Sequence, residues 1–450
     1  MTGRLLFAWM IFGALAAPLA AQDFGFGFDG EDAAPDERGG SFSRALNAAA
    51  AVHGEVSASM TGYIDDFSEG LSRVKGGDVF SGTLNFSAAA SIAEAAINLK
   101  IAPAPVYYDG TSPVYVDEAY IRLYFGALDI ESGLRKITWG KADSFGPLDV
   151  VNPLDTSGIY QEMADKSDLM GIKIPRPLIR AAWRFGEFSK LEGLVVPHFE
   201  PHHIASSGRW APAQAEMLSL VQRPNTSSLD YAQAGLRFTT TLGSSDIGAQ
   251  YYYGRLRQPS VRIWTAPAIG AELLYNPYHQ AGLDHARVVA GFNTRAEFAA
   301  NITGDLKGDD GSVYNPSLAW SLGFDRDLFL GLNLNLQADE TIRLMNDKVG
   351  SADIMGGALD SFDIEGGADM TATRVTAILS RKFLRDELEI RTAVVWGLED
   401  GDFALMPALI RTKDALTIAC SGGFFGGGKT GQLGQYHKNN FVKISAAYSF

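Results

Sequence analysis

The sequence predicts an all-β fold, a transmembrane antiparallel up-and-down β-barrel of about 18 strands, with about 16 as the alternative count. Three observations carry the prediction. Apolar and polar residues alternate with period two in segment after segment, and the joints between segments switch between short turns and long loops. The N-terminal stretch "MTGRLLFAWMIFGALAAPLAAQ" has the cation Arg4, an apolar run from Leu5 to about Leu15 and then small residues, the layout of a secretory signal peptide. Period two sends alternate side chains to lipid and to lumen, and a spanning strand needs only about 9–11 residues. No later apolar run reaches the roughly 18 residues that a spanning helix requires, so strands are the elements that would cross a membrane.

Along the chain, strands are expected near 51–64, 79–91, 95–102, 114–126, 128–138, 178–185, 189–197, 230–241, 245–257, 285–292, 295–301, 317–324, 328–337, 372–384, 387–397, 404–411, 415–425 and 441–450. The alternation is cleanest in four of them. Leu328, Leu330, Leu332, Leu334 and Leu336 oppose Asn333, Asn335 and Gln337, while Leu388, Ile390, Val394 and Trp396 oppose Glu387, Glu389 and Arg391. Ala234, Leu236 and Phe238 oppose Gln233 and Arg237, and Ala119, Ile121 and Leu123 oppose Glu118 and Arg122. Short joints fall at Gly126-Ala127, Gly186-Glu187, Leu242 to Ser245, Asp325 to Asp327, Arg385-Asp386 and Thr412 to Asp414. Between them lie long loops, 65–78, 140–168, 198–229, 258–284, 338–371 and 426–440. The pattern places short turns in the periplasm and long loops outside the cell. "ARVVAGFNTRAEFAAN" keeps its alternation through Phe292-Asn293-Thr294, and only a break there makes the strand count even, as two periplasmic termini demand.

The domain reading is a signal peptide over 1–21, a short periplasmic segment or plug over 22–50 and the barrel over 51–450. The single cysteine, Cys420, excludes an internal disulfide, so stability rests on hydrogen bonding and packing. A formal net charge of −14 argues against nucleic acid or an anionic membrane surface as a partner of the chain as a whole. A periplasmic β-sandwich or propeller would also show short alternating strands. Against it stands the clustering near strand ends of Tyr124, Phe125, Tyr251, Tyr252, Tyr253, Trp320, Trp396, Tyr448 and Phe450, as in an interfacial aromatic girdle.

The last segment, "FVKISAAYSF", has Val442, Ile444, Ala446, Tyr448 and Phe450 on one face; it resembles the C-terminal signature ending in Phe by which outer-membrane proteins are recognised for assembly. A second resemblance lies in "TWGKADSFGPLDVVNPLDTS", with "WGLEDGDFALMP" and "FFGG" later: these are similar to segments of a porin-like family of bacterial outer-membrane barrels, many of unassigned substrate. That resemblance implies a channel, with outer-membrane lipids and the barrel assembly machinery as partners and a small solute as cargo. It also implies that the loop bearing Lys141, Asp143, Asp149 and Asp155 can fold inward as a charged constriction, Lys141 pairing with one of the acids. The alternative is an external loop held by an Asp/Asn turn network around Asn152-Pro153. Trp139 fits an interfacial anchor, and Gly140 a backbone position that needs freedom.

Strand parity assigns Glu118, Arg122, Gln233, Arg237, Arg287, Asn293, Arg295, Glu297, Asn333, Asn335, Gln337, Glu389 and Arg391 to the polar, lumen-lining faces. About 18 strands enclose more space than side chains fill, so a water-filled passage is expected unless loops plug it. His198, Glu200, His202 and His203 in "PHFEPHH" could offer metal ligands, but Pro197 and Pro201 prevent a regular element from aiming them, and a solvated loop tip is the reading preferred. Asp305, Asp309 and Asp310 lack calcium-loop spacing. No nucleophile elbow or zincin motif occurs, so no catalytic residue, metal or cofactor is assigned. The function expected is passive diffusion or facilitated uptake of small solutes; the alternatives are uptake of hydrophobic substrates, a surface adhesin or a barrel-embedded enzyme.

Overall fold

The alternation is realised strand by strand. The computed structural model describes residues 49–65, 81–90, 92–101, 114–165, 170–213, 215, 221–264, 270–345 and 369–450. The expected signal peptide and nearly all of the 22–50 segment lie outside the described residues. Strands β1 (Ala49–Tyr63), β2 (Ser81–Ala90), β3 (Ala93–Ile101), β4 (Val114–Phe125), β5 (Leu128–Arg135), β6 (Arg176–Phe185), β7 (Ser189–Val196), β8 (Gln233–Leu242) and β9 (Ser245–Arg255) make half of the wall. A small hairpin comes next, β10 (Ser260–Trp264) with β11 (Gly270–Leu274). The wall resumes with β12 (Pro277–Val289), β13 (Phe292–Thr303), β14 (Ser317–Asp327), β15 (Leu332–Arg343), β16 (Thr371–Phe383), β17 (Leu388–Gly397), β18 (Asp402–Lys413), β19 (Leu416–Gly426) and β20 (Phe441–Ser449).

Each wall strand pairs antiparallel with its neighbours, and β1 pairs with β20, so the 18-stranded sheet closes on itself and has no free edge. Short turns join the strands at the periplasmic end, long loops at the other. No described helix is long and apolar enough to cross a membrane, and the strands do the crossing. Their outward faces expose Leu236, Leu283, Leu322, Ile390 and Ile444 to between 49% and 58%, an area of aliphatic surface that belongs against lipid. The apolar faces therefore do not pack on a second sheet, as a soluble sandwich would require.

Positions expected from the pattern shift where turn chemistry decides. The disputed break is real, but it lies at Ala290-Gly291, both with positive φ (52° and 80°), rather than at 292–294. The β14–β15 joint is not at Asp325 to Asp327: β14 runs on to Asp327, Leu328 to Gly331 turn, with Leu330 and Gly331 at φ 61° and 68°, and β15 begins only at Leu332. Within the loop expected over 258–284, β12 already begins at Pro277. Of the aromatic residues assigned to the girdle, Tyr124 and Tyr252 face inward instead; Tyr124 bonds Glu94, and Tyr252 is fully buried.

Candidate functional site: a segment folded into the lumen

The described residues of the connection from β5 to β6, 136–165 and 170–175, turn into the barrel. Asn152 pins its two ends together: its Oδ1 accepts from Ile137 N at 2.7 Å, and its Nδ2 donates to Arg135 O and Ile174 O at 3.0 and 2.9 Å. The Asn152-Pro153 turn, expected of an external loop, instead shapes an inward fold. Trp139 is no interfacial anchor. It is 3% exposed inside the barrel, its indole N–H donates to Glu192 at 2.8 Å, and its ring lies over Gly235, where a Cβ would stand 2.5 Å from it. Gly140 has φ +99°, and a Cβ there would meet Glu297 Oε1 at 2.2 Å, so the segment can approach this carboxylate only as glycine.

Glu297 and Gln337 form the anchor. Glu297 accepts from Lys141 N, from Ala142 N (2.7 Å) and from Leu148 N (3.2 Å). Gln337 Oε1 accepts from Asp143 N and Ser144 N, both at 3.0 Å. Gln250 and Gln280 donate to the carbonyls of Leu148 and Pro147 at 2.9 and 3.0 Å. The segment then reaches the far wall through the helix α1 (Ile159–Asp165), whose Asp165 bonds Lys443 (3.2 Å) and Ser445 (3.0 Å). Arg391 donates to Ala164 O at 3.4 Å, and Ala164 packs with Ala393, Val395, Ala404 and Met406.

The acids of this segment are engaged by side chains other than Lys141. Asp143 receives Arg295 at 2.6 Å and Asn335 at 2.9 Å; Asp149 pairs with Lys173 at 2.6 Å; Asp155 bonds His203 at 2.9 Å. Burial pushes the Asp149 carboxyl up, and Lys173 pulls against it. Burial acts upward on Asp155 too, but hydrogen bonds from His203 and Ser157 outweigh it and leave that carboxyl below its usual range.

His203 belongs to the next long loop, between β7 and β8. "PHFEPHH" is therefore not a solvated tip but a latch on the inward segment. Leu154 N donates to His202 Nδ1 at 2.9 Å, Thr156 N to His203 O at 2.9 Å, and His203 N to Leu154 O at 2.8 Å. Burial, with the Arg257 cation nearby, pushes the His202 imidazole down to about 3, so it stays a neutral acceptor. Farther on in the same loop, Trp210 packs among Tyr63, Tyr160, Phe425, Tyr436 and Phe441, with ring centroids 5.4–6.5 Å away.

The remaining residues assigned to the lumen are spread around the wall. Glu118 and Arg122 face inward on β4, bonded to Arg135 (3.3 Å) and to Glu131 (2.9 Å). Gln233 accepts from Tyr252 at 2.9 Å, and Arg237 pairs with Asp284 at 2.6 Å. Asn293 and Asn333 donate to Asp325 (2.7 Å) and Asp327 (2.9 Å) near the turns. Glu389 shares the inward parity of Arg391, which is buried. Arg287 is the correction: it pairs with Thr294 on the parity of Leu283, which faces lipid, and so stands on the outer wall. Polarity does not decide facing so near an interface, where an outward cation is tolerated. Tyr448 and Phe450 lie on the outward face at the β1–β20 seam.

Parity missed Asp117. A bulge at Asp117 of β4, opposite the Asn98–Leu99 step of β3, lets consecutive acids Asp117 and Glu118 both serve the interior, and Asp117 takes Lys136 at 2.7 Å. A wall of paired charges was visible as alternation but not as partners: Glu94, Arg122, Glu131 and Arg180 stand opposite one another across β3, β4, β5 and β6. A small polar cleft opens along this wall, lined by Arg122, Asp129, Glu131, Arg180, Ala182, Arg184 and Lys190.

No protein-family model and no curated protein sequence matches the chain. Among solved structures it is similar to bacterial outer-membrane barrels. OccAB4 of Acinetobacter baumannii is 10% identical with a TM-score of 0.48, over 91% of this chain and 100% of that one. OccK9 (OpdG) of Pseudomonas aeruginosa is 9% identical with a TM-score of 0.47, over 90% and 98%. OmpF of Salmonella typhi, in complex with daunomycin, is 8% identical with a TM-score of 0.41, over 89% and 97%. On its own closed sheet, lipid-facing belt and polar interior, the chain is an 18-stranded outer-membrane β-barrel with a segment folded into its lumen.

Proposed function

We propose that the protein is a porin-like channel for passive diffusion or facilitated uptake of small solutes, with the inward segment narrowing its passage. The observation that supports this is the double attachment of the segment, to Glu192, Glu297 and Gln337 on one side and to Arg391 and Lys443 on the other. A segment held at both ends of its course sets a fixed constriction, and selection then depends on size and local charge. Because the inward charges are mostly paired, the preference between small anions and cations should be weak. A second reading, uptake of hydrophobic solutes, draws on the aromatic cluster around Trp210.

Liposome swelling with a size series of sugars tests the proposal. Permeation should fall with solute size, and Glu297→Ala, which strands three amide donors, should raise the cut-off. An unchanged cut-off would remove the segment from the passage. If the folded protein gives neither swelling nor conductance, the channel reading fails and the adhesin or enzyme reading gains; uptake restricted to apolar solutes would favour the second reading.

A further inference from the structure

At its periplasmic rim the outer wall is charged on one half only. Arg287, Arg326, Arg381, Arg411 and Lys413 all share outward parity at the periplasmic ends of β12, β14, β16 and β18, opposite Thr294, Leu334, Leu332, Leu388 and Leu416 respectively. Two of them lie flat along the wall: the Arg326 guanidinium is 4.4 Å from the Phe292 ring centre, and that of Arg381 is 4.6 Å from Phe383. The acids nearby, Asp327, Asp386, Glu387 and Asp414, sit in or beside the turns, where Arg385 adds another cation. Of these acids, Glu387 approaches an outward cation, 3.8 Å from Arg411, with both side chains well exposed (38% and 57%). On the other half, the corresponding outward positions from β1 to β9 carry Val52, Phe125, Leu128, Trp183, Phe185 and Leu242, without charge.

A cation facing the bilayer midplane is costly, whereas one beside the turn is tolerated. This explains why the arc can exist but not what it serves. The turns lie in the periplasm, so the arc stands at the headgroup depth of the phospholipid leaflet, and Phe292 and Phe383 beside it suit that depth. Guanidinium groups bind phosphate through two parallel hydrogen bonds. We propose that the arc from β12 to β18 binds anionic phospholipid headgroups of the periplasmic leaflet and holds a one-sided annulus of them on the barrel. Zwitterionic lipids offer the same phosphate, but their own ammonium group offsets its charge.

The folded full-length protein, incubated with equal phosphatidylglycerol and phosphatidylethanolamine and read by native mass spectrometry, supplies the test. Wild type should retain phosphatidylglycerol preferentially, less so at high salt. Each neutralised cation should weaken retention about fivefold, and R287Q/R326Q/R381Q/R411Q/K413Q should abolish the preference. R287K/R326K/R381K/R411K should keep it, which separates charge from loss of fold; heat-modifiable migration checks the fold of each variant, and the single variants carry the test if the fivefold variant does not fold. Equal retention of the two lipids by wild type, an unchanged preference after neutralisation, or a cation-dependent second copy of the chain in place of lipid would each overturn the proposal.

Discussion

Inside this barrel charges are answered from neighbouring strands or from the inward segment, and Arg237 of β8, which reaches across β9 to Asp284 of β12, carries the energetic consequence. Its partner Asp284 has a side chain with no exposure, and Gly248 lies so close beneath that a Cβ there would be 2.2 Å from the carboxylate, which leaves Asp284 no room to swing to water. Arg237→Ala should therefore lower stability by about 3–5 kcal/mol, read as a lower urea midpoint of the heat-modifiable form. R237A/D284N should recover most of it. Equal loss in both variants would show that packing rather than charge is at stake. Parity made Arg122, Arg237, Arg295 and Arg391 legible as inward residues. Their partners could not be read, because Glu131, Asp284, Asp143 and the carbonyl of Ala164 come from other strands or from the inward segment.

Strands were the most legible elements, since closure and lipid both enforce period two along the whole wall. Turns were less so: Leu328 to Leu330 continue the apolar pattern of β15, yet the positive φ of Leu330 and Gly331 ends the strand at Leu332. The shift moves the membrane midplane along β15. Leu334 stands opposite Arg326 near the periplasmic rim, whereas Leu336 is deeper. Leu336→Arg should cost about 2–4 kcal/mol and Leu334→Arg about 0–1 kcal/mol; equal urea midpoints for the two would contradict this depth. The inward segment was half legible, through Trp139-Gly140-Lys141 and the run of acids, but its latch was not, because histidines in a proline-rich stretch carry no period. That latch is sensitive to pH. The His202 imidazole titrates near 6.5 when unfolded and is held down to about 3 in the fold, so from about pH 6.5 to about 3 only the released form takes up the proton. Acidification through this window should loosen the latch, and faster hydrogen exchange at Leu154 and His203, corrected for intrinsic rates, would report it. His202→Gln keeps an acceptor that does not titrate and should flatten the profile down to the carboxylate range, where protonation of Asp155 also loosens its bond to His203.

At the scale of the molecule, the barrel is one closed ring, and its closure rests on the β1–β20 seam. Beyond the registered pairs from Glu55 with Ser449 to Tyr63 with Phe441, Gly54 and Phe450 exchange backbone hydrogen bonds of 2.9 and 2.8 Å. The Phe450 ring then covers Gly54 so closely that a Cβ there would lie 2.4 Å from it. Glycine at 54 is thus the seat for this ring, an aromatic cover over a strand glycine. Gly54→Leu should displace the ring and reduce the folded, heat-modifiable form, while Phe450→Ala should do so less because the backbone pair survives. Combined, G54L/F450A should refold better in detergent than G54L alone, since the side chains no longer compete for one space. The same pair separates two roles of Phe450. If the ring serves the seam alone, the double variant should reach the outer membrane in cells as well as it refolds in detergent. If it is also read by the barrel assembly machinery, as we propose from the terminal alternation, the double variant should refold in detergent yet fail to accumulate in the outer membrane. A double variant no better than G54L in detergent would remove the ring from the seam.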